Sequence, residues 1–575
     1  MPRTNDAVEA VLVEYADLLS ILSEDPFKPR AYEKAARAVG GFPADVGTLD
    51  LKGILAIPSV GKSIGEKIHE FVQTGTIATL DELRAQIPEG VRGMMAVPGL
   101  GPKKAMALYR ELGISNVEAL AQAVQEHQLA GLKGFGEKTE ENIRKGIERA
   151  RTSSDRALVS VAMDLAEHFI GLLGGRKDVR RIAYAGSLRR MAETIGDLDL
   201  LIAARAEKAP AIMDAFTSAG TVQGVLAKGE TKSSVLTQAG LQVDLRVIPL
   251  EAWGAAMIYF TGSKAHNIRI REMAVRKGLK LNEYGLFDAK TGDLIVASTE
   301  EEVYERLGLP FIPPTLREDR GEVEAALEGV LPDVVTQKQL RGDLHTHTNL
   351  TDGLATLEQM LDAASELGYA YYAVTDHAPN LFMQRMTDEK MLAQREQLRA
   401  LQARYPKMTL LHGSELNIDP DGEVDWGPEF LEGFDVCVAS VHSHFNQSKT
   451  EMTRRLIRAM ENPYVHVIGH PTTRLINRRQ PAEFDLDEVF KAAARTGTAL
   501  EINAYPDRLD LKDEHIAWAK RHGVRFAIDT DSHATTHLEV MRYGVATAQR
   551  GWLTKDDVIN AWPLAKLRRF LRKGR

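Results

Sequence analysis

The sequence predicts a multidomain α/β protein with a helical front, an α+β middle and a distorted α/β barrel at the back. Three observations carry that prediction. Short amphipathic helices separated by glycine turns fill residues 1–150. Two aspartates spaced two apart open an apolar strand at Asp197, and a third, Asp244, sits in another. Twelve of the sixteen histidines follow residue 340, most of them at the ends of short apolar strands that alternate with helices.

A chain of 575 residues exceeds one ordinary core. The pattern places helical domains at 1–80 and 81–152, a strand-rich domain at 153–250 and a smaller one at 251–315. The Pro-rich stretch PFIPPTLRED then introduces a linker at 316–339, and the barrel runs over 340–575. No apolar run approaches the ~18–20 residues that span a bilayer. The start, MPRTNDAVEA, lacks the apolar centre of a secretory signal. Cys437 is the single cysteine, so intramolecular disulfides are excluded and a reducing cytoplasm is expected. A net charge of −8 argues against a uniformly basic nucleic-acid binder. Binding depends on local charge, however, and carboxylates that hold cations count as negative in the formal sum.

At the front, one theme occurs three times: IPSVGKSIGEKI (57–68), VPGLGPKKAMAL (97–108) and LKGFGEKTEENI (132–143). Each is an apolar residue, a glycine turn and a helix start. Gly61, Gly65, Gly99, Gly101, Gly134 and Gly136 permit left-handed backbone and leave N–H groups uncovered. With the helix N-terminus behind them, these turns can seat a phosphate. Such contacts position DNA without reading its sequence.

In the middle, Asp197 and Asp199 share one face of a strand, because strand side chains alternate. Unpaired, they would repel and lose hydration. Divalent cations remove both costs. With Asp244 in LQVDLRVI, three carboxylates on adjacent strands can hold two Mg²⁺ ions, roughly 3.5–4 Å apart. The turn ahead of them offers Gly186 and the Ser187 hydroxyl to a phosphate, and Arg190 to charge developing on its oxygens.

At the back stand His345, His347, Asp352, His377, Glu415, His442, His470, Asp531 and His533. In an α/β barrel the strand C-termini converge on one rim, so these groups would meet in space. Imidazoles and carboxylates suit Zn²⁺, Mn²⁺ or Fe²⁺. Nine ligands suit three ions, with Glu415 as a bridge. Clustered ions neutralise phosphate and acidify bound water, which implies a metal-assisted phosphoester hydrolase. His412, His444 and His466 lack a ligand pattern and are expected to be supporting or structural.

These motifs carry resemblances. The glycine turns resemble helix-hairpin-helix motifs, which bind the DNA backbone. The ordered set GS…GDLD…VDLR resembles the nucleotidyltransferase superfamily. Tyr259, Phe260 and Gly262, then Asn267 and Arg271, then Asn282-Glu283-Tyr284, look like the nucleotide pocket of the family X (DNA polymerase beta) group. That resemblance covers residues 1–315 and implies a nucleotidyltransferase palm and a nucleotide-binding thumb. It implies that Tyr259 and Phe260 crowd the sugar 2′ position, that Asn267 touches the incoming base and that Arg271 supports the template. Lys264 departs from the Asp common in that group and is given no role. Lys67 matches the family's Schiff-base lysine, which implies a lyase aided by Lys62, with Ser63 where a supporting Lys often stands. The alternative for Lys67 is a phosphate contact. Residues 340–575 resemble the PHP (polymerase and histidinol phosphatase) domain with all nine ligand positions filled.

Together the resemblances imply a monomeric, cytoplasmic repair polymerase with no membrane role. It would act on gapped or nicked DNA and dNTPs with Mg²⁺ or Mn²⁺, in base excision or end repair. The back would act as a 3′–5′ exonuclease, 3′-phosphatase or abasic-site endonuclease, with Mn²⁺ expected. Two other readings stand beside it: a phosphoesterase for a small substrate with a degenerate polymerase half, and a non-catalytic DNA scaffold.

Overall fold

The computed structural model describes residues 4–22, 27–40, 42, 44–95, 97, 100, 102–129, 132, 135–136, 139–140, 143–144, 147, 156–381 and 384–573. It divides into two compact units. One comprises Asp155–Val335 with Ala546–Thr554, and the other Pro2–Ser154, Thr336–Val545 and Lys555–Arg575.

The first unit is built on a five-stranded sheet. Its strands are β1 (Arg181–Tyr184), β2 (Asp197–Ala203), β3 (Val222–Lys228), β4 (Lys232–Thr237) and β5 (Gln242–Ile248), in the order β1-β2-β5-β4-β3. β2 and β5 are parallel, and the other pairs are antiparallel. β2 begins in alternation, with Asp197 exposed and Leu198 buried, and from Leu200 onward is buried throughout. Leu198, Leu200 and Ile202 enter the core, so the carboxylates sit at the one end where a face stays open.

Beyond the sheet, the helices Trp253–Thr261 and Lys264–Arg276 pack with a small antiparallel sheet of β6 (Leu279–Asn282), β7 (Gly285–Asp288) and β8 (Leu294–Val296). Ser263 caps the second helix by accepting the His266 N–H (3.2 Å). Of residues 316–339, expected to be a linker, 316–335 are folded into this unit. Arg317 and Glu322 are fully buried, and Glu322–Leu327 is a helix. The charges there read as solvent-facing, yet each has a partner: Arg317 pairs with Glu300 (2.7 Å), and Glu322 with the His266 ring (2.7 Å). Val334 bridges Thr554, and the Val335 N–H donates to the Leu553 carbonyl (2.8 Å).

In the second unit, the N-terminal helices close a core around Leu12, Ile54, Ile68 and Leu120. The rest is a barrel of seven parallel strands in sequential order: β9 (Gly342–Asp343), β10 (Tyr371–Val374), β11 (Thr409–Asn417), β12 (Val436–Ser440), β13 (Val467–Ile468), β14 (Ala499–Asn503) and β15 (Phe526–Asp529). Helices cover the outside, so these strands are buried nearly throughout. The ring nearly closes. Thr346, past β9, bridges Ser532, past β15, and the His347 N–H donates to the Ser532 carbonyl (2.8 Å). At the same seam the Asn560 amide donates to the Gly342 (2.9 Å) and Ile528 (2.6 Å) carbonyls and accepts the Ile528 N–H (3.1 Å).

Candidate active sites

Parallel pairing of β2 with β5 sets Asp199 opposite Asp244, with Asp197 two residues along on the same face of β2. Burial pushes the Asp199 carboxyl up to about 7, helped by the charges of Asp197 and Asp244. Burial also acts on Asp244, but hydrogen bonds from Lys232, Gln242 and Ser234 outweigh it and hold that carboxyl low. Lys232 Nζ lies 2.8 Å from Asp244 Oδ2, so a cation already stands among the carboxylates. The three do not all converge within 4.8 Å, since Asp244 is turned toward Lys232. The chemistry of the set fits hard divalent cations.

Gly186 opens the short helix Gly186–Arg189 with φ +59, and a Cβ there would lie 2.4 Å from Asp199 Oδ2. Both the backbone and the carboxylate therefore require glycine. Ser187 is half-buried in the same turn. Arg190 bends back: Nε bonds Glu318 (3.0 Å) and Nη1 bonds the Thr261 carbonyl (2.6 Å). Its neighbour Arg189 pairs with Glu300.

Tyr259 and Phe260 end the helix Trp253–Thr261 with rings edge to face at 5.0 Å, and the Arg246 guanidinium lies 4.7 Å over Phe260. Gly262 follows with φ +69. The Asn267 amide donates to the Tyr259 carbonyl (2.6 Å), and Arg271 Nε to the Asn267 carbonyl (3.2 Å). A small cavity lies between Tyr259, Asn267, Arg271 and Asn282. Lys264 is exposed on the first turn of the next helix.

In the barrel all nine residues meet. Ligand atoms of His347, Asp352, His377 and His533 gather within 4.8 Å, as do those of His345, His347 and Asp531, and of His377, Glu415 and His442. His470 joins through Glu415 (3.1 Å). Glu415 is the hub: Oε1 also meets His442 (3.1 Å), while Oε2 meets His377 (2.9 Å), His345 (3.4 Å) and His347 (3.5 Å).

The imidazoles are aimed. His345 Nδ1 bonds the Glu501 carboxylate (2.6 Å), His442 Nδ1 the Asn417 amide oxygen (2.7 Å) and His533 Nδ1 the Asp531 carbonyl (2.8 Å). Each partner is an acceptor, so Nδ1 carries the hydrogen and Nε2 presents its lone pair inward. His345 Nε2, His347 Nε2 and Asp352 Oδ1 are buried without a hydrogen-bond partner. His347 Nε2 nevertheless lies 3.1 Å from Asp531 Oδ1. Donor atoms packed this closely without hydrogen-bond alignment fit divalent cations. Charge agrees. Burial opposes protonation of His345, but Asp531, Glu501 and Glu415 outweigh it and hold its pKa well above ordinary. Burial likewise raises Glu415, and His442, His345 and His377 more than reverse it.

Glu501 and Asn417 were missed from sequence, although the i, i+2 pair Glu501 and Asn503 in TALEINA was a signal. Asn503 bonds Glu501 (3.2 Å) and Asp531 (3.1 Å). His412 stacks on Phe434, and His466 Nδ1 accepts the Cys437 N–H (2.9 Å). His444 is exposed beside Ser443.

Of the glycine turns, Gly61 caps the helix Lys62–Thr74 with φ −76, and the left-handed residue is Ser59 (φ 64). Gly65 lies inside that helix. Its N–H is bonded to the Gly61 carbonyl (2.8 Å), and an added Cβ would sit 2.6 Å from Leu55, so close packing demands glycine there. The Gly136 carbonyl starts a helix by accepting the Thr139 N–H (2.8 Å). Gly99, Gly101 and Gly134 lie outside the described residues. Lys67 Nζ bonds Ser63 Oγ (3.2 Å) and stands 5.8 Å over the Tyr15 ring.

Four known families match along the chain: a helix-hairpin-helix domain (3–77), a SAM-like helix-hairpin-helix tandem (91–149), the DNA polymerase beta thumb (256–318) and the PHP domain (343–505). The chain is 35% identical to the DNA polymerase/3′-5′ exonuclease PolX of Bacillus subtilis (strain 168) over 567 residues, 98% of each chain. It is 24% identical to DNA polymerase lambda of Rattus norvegicus over 322 residues, covering 51% of this chain and 53% of that one. A probable phosphatase of Thermoanaerobacter sp. (strain X514) is 26% identical over 243 residues, covering 40% of this chain and 94% of its own. These matches meet the two sites described above in one continuous chain, which belongs to the family X DNA polymerases that carry a C-terminal PHP domain.

Proposed function

We propose that the protein fills short gaps in DNA during repair and trims or cleans 3′ ends by metal-dependent hydrolysis at a second site. The observation that carries this reading is the convergence of candidate metal ligands in the barrel, together with Asp197, Asp199 and Asp244 on adjacent strands, in a chain similar over its full length to a polymerase/3′-5′ exonuclease. Asp197, Asp199 and Asp244 would hold Mg²⁺ or Mn²⁺. The Gly186–Ser187 turn and the Ser187 hydroxyl would bind the triphosphate of a dNTP, with Arg190 supplying positive charge. Tyr259 and Phe260 would crowd the sugar, and Asn267 and Arg271 would border the base. The glycine turns would seat backbone phosphates of gapped or nicked DNA, and Lys67 would either attack an abasic sugar or contact phosphate.

At the barrel, the nine ligands would hold three divalent ions, Mn²⁺, Zn²⁺ or Fe²⁺. When bound, such ions neutralise phosphate and acidify water. Glu501, Asn417 and the Asp531 carbonyl keep the imidazole lone pairs directed inward, so the ligands need no rearrangement. The protein is proposed to work as a monomer.

A 5′-labelled primer on a one-nucleotide gap, with Mn²⁺, tests the two sites together. Asp197→Ala should only degrade the primer, and His345→Ala should only extend it. If neither variant differs from wild type, both assignments fall and a scaffold role replaces them.

Gly186→Ala is expected to slow gap filling by about 100-fold, because the methyl group displaces Asp199 from its position. Hydrolysis of 3′ ends by the same preparation should continue. Gap filling at the wild-type rate would show that the close approach of Gly186 to Asp199 is immaterial.

A further inference from the structure

Glu318 is shared by two arginines. Its Oε1 accepts from Arg190 Nε (3.0 Å) and from Arg550 Nη1 (2.7 Å). The same Arg550 nitrogen donates to the main-chain carbonyl of Arg190 (2.8 Å). The three side chains are only 10–16% exposed. Arg550 thus grips both the backbone that ends the Gly186–Arg189 turn and the carboxylate that aims the Arg190 guanidinium.

Arg550 arrives from the far end of the chain, on a segment built into this unit. Gln549 accepts from the Thr315 hydroxyl (3.2 Å) and donates to the Val335 carbonyl (2.8 Å). The Leu553 carbonyl accepts the Val335 N–H (2.8 Å), and Trp552 packs against the core around Tyr304.

The charges give this contact a functional sign. Among these three side chains, one carboxylate between two guanidiniums leaves one net positive charge. Without Arg550, Glu318 would neutralise Arg190 alone, and the turn would present no net positive charge to an anion.

We propose that Arg550 is a positioning residue for the polymerase site, which keeps Arg190 placed and electropositive toward the triphosphate of the incoming nucleotide. This rests on the reading that the Gly186–Arg190 turn receives that triphosphate. It makes a residue beyond the barrel's ligands in sequence a component of nucleotide binding.

The test is single-nucleotide gap filling by the full-length protein over a range of dNTP concentrations. Arg550→Met is expected to raise KM for the dNTP about tenfold, the effect of losing one charge-assisted contact. kcat should change much less, and 3′-end hydrolysis should stay at the wild-type level. Adding Glu318→Gln to Arg550→Met should bring KM back toward wild type, because the uncompensated carboxylate is gone. A merely structural role predicts the reverse, a double variant worse than the single one. An unchanged KM in Arg550→Met, or a double variant worse than the single, overturns the proposal. Should Arg550→Met fail to fold, Arg550→Lys and Arg550→Gln carry the comparison. Both keep a donor for the Arg190 carbonyl and only the lysine keeps the charge, so equal KM values overturn the proposal. Wild-type protein that does not extend primers, or extension that survives Asp197→Ala, would instead refute the polymerase reading itself.

Discussion

Glu415→Gln is expected to cut 3′-end hydrolysis by about 10³-fold, the scale of breaking a buried charge cluster by removing one partner. Glu415 lies within 3.5 Å of five imidazoles, so no other residue of the barrel site touches as many of its groups. The amide preserves shape and volume but removes the charge that balances His345 and His377. It also replaces a carboxylate oxygen, which would help hold a cation, with an NH₂ that cannot. The variant should demand much more Mn²⁺ for any residual hydrolysis, while gap filling continues because Asp197, Asp199 and Asp244 belong to the other compact unit. The measurement is release of labelled nucleotide from a 3′ end across a Mn²⁺ titration. Hydrolysis within twofold of wild type at saturating Mn²⁺ would remove Glu415 from the ligand set.

Asp199→Asn carries the second large effect, a loss of gap filling of about 10³-fold, with hydrolysis intact. Asp199 is the central carboxylate, flanked by Asp197 along its strand and by Asp244 across the sheet. Burial and those two charges push its carboxyl up to about 7, so in the absence of metal an ionised Asp199 weakens the fold near neutral pH. The folded-state pKa is raised, so this penalty builds as pH climbs from the ordinary carboxylate range to about 7, stays constant above that, and vanishes in stronger acid. Asparagine removes the penalty along with the activity. In chelator at pH 8 the variant should therefore unfold about 2–4 °C above wild type, the shift expected for ~1 kcal/mol in a unit of this size. Below about pH 4, under the ordinary carboxylate range, the two proteins should unfold together. Lower stability of Asp199→Asn at pH 8 would mean that the carboxylate serves the fold rather than a cation.

The candidate ligands of both sites, Asp352 apart, are legible because they stand in, or just after, apolar strands, where a charged or imidazole side chain needs a reason to be present. The residues that orient them are not. Glu501 reads as one polar position in TALEINA, and its target, His345, is 156 residues away. Only the closing of the ring of strands brings the end of β9 within reach of β14. Residues 316–339 misled for the same cause. Arg317, Glu318 and Glu322 look solvated until Glu300, Arg550 and His266 are seen against them. The sequence offers Arg190 to charge developing on phosphate oxygens, and the structure adds the carboxylate and carbonyl that hold it. In the first glycine turn, composition pointed to a left-handed glycine, whereas Ser59 adopts that conformation and Gly65 serves packing.

The Asn560 latch on the barrel seam sets a timetable for synthesis. As the nascent chain leaves the ribosome, seven of the nine ligands, from His345 to His470, emerge before Asp531 and His533. The amide that ties the first strand to the last emerges later still. Until residue 560 is free of the exit tunnel, the open side of β9 lacks the bond from the Asn560 amide to the Gly342 carbonyl. The cup of candidate ligands is then not latched, and its long-range contacts form slowly. Closure of this barrel therefore waits for the segment around Asn560, and a polypeptide stalled before it would expose an open parallel sheet to the cell's quality-control machinery.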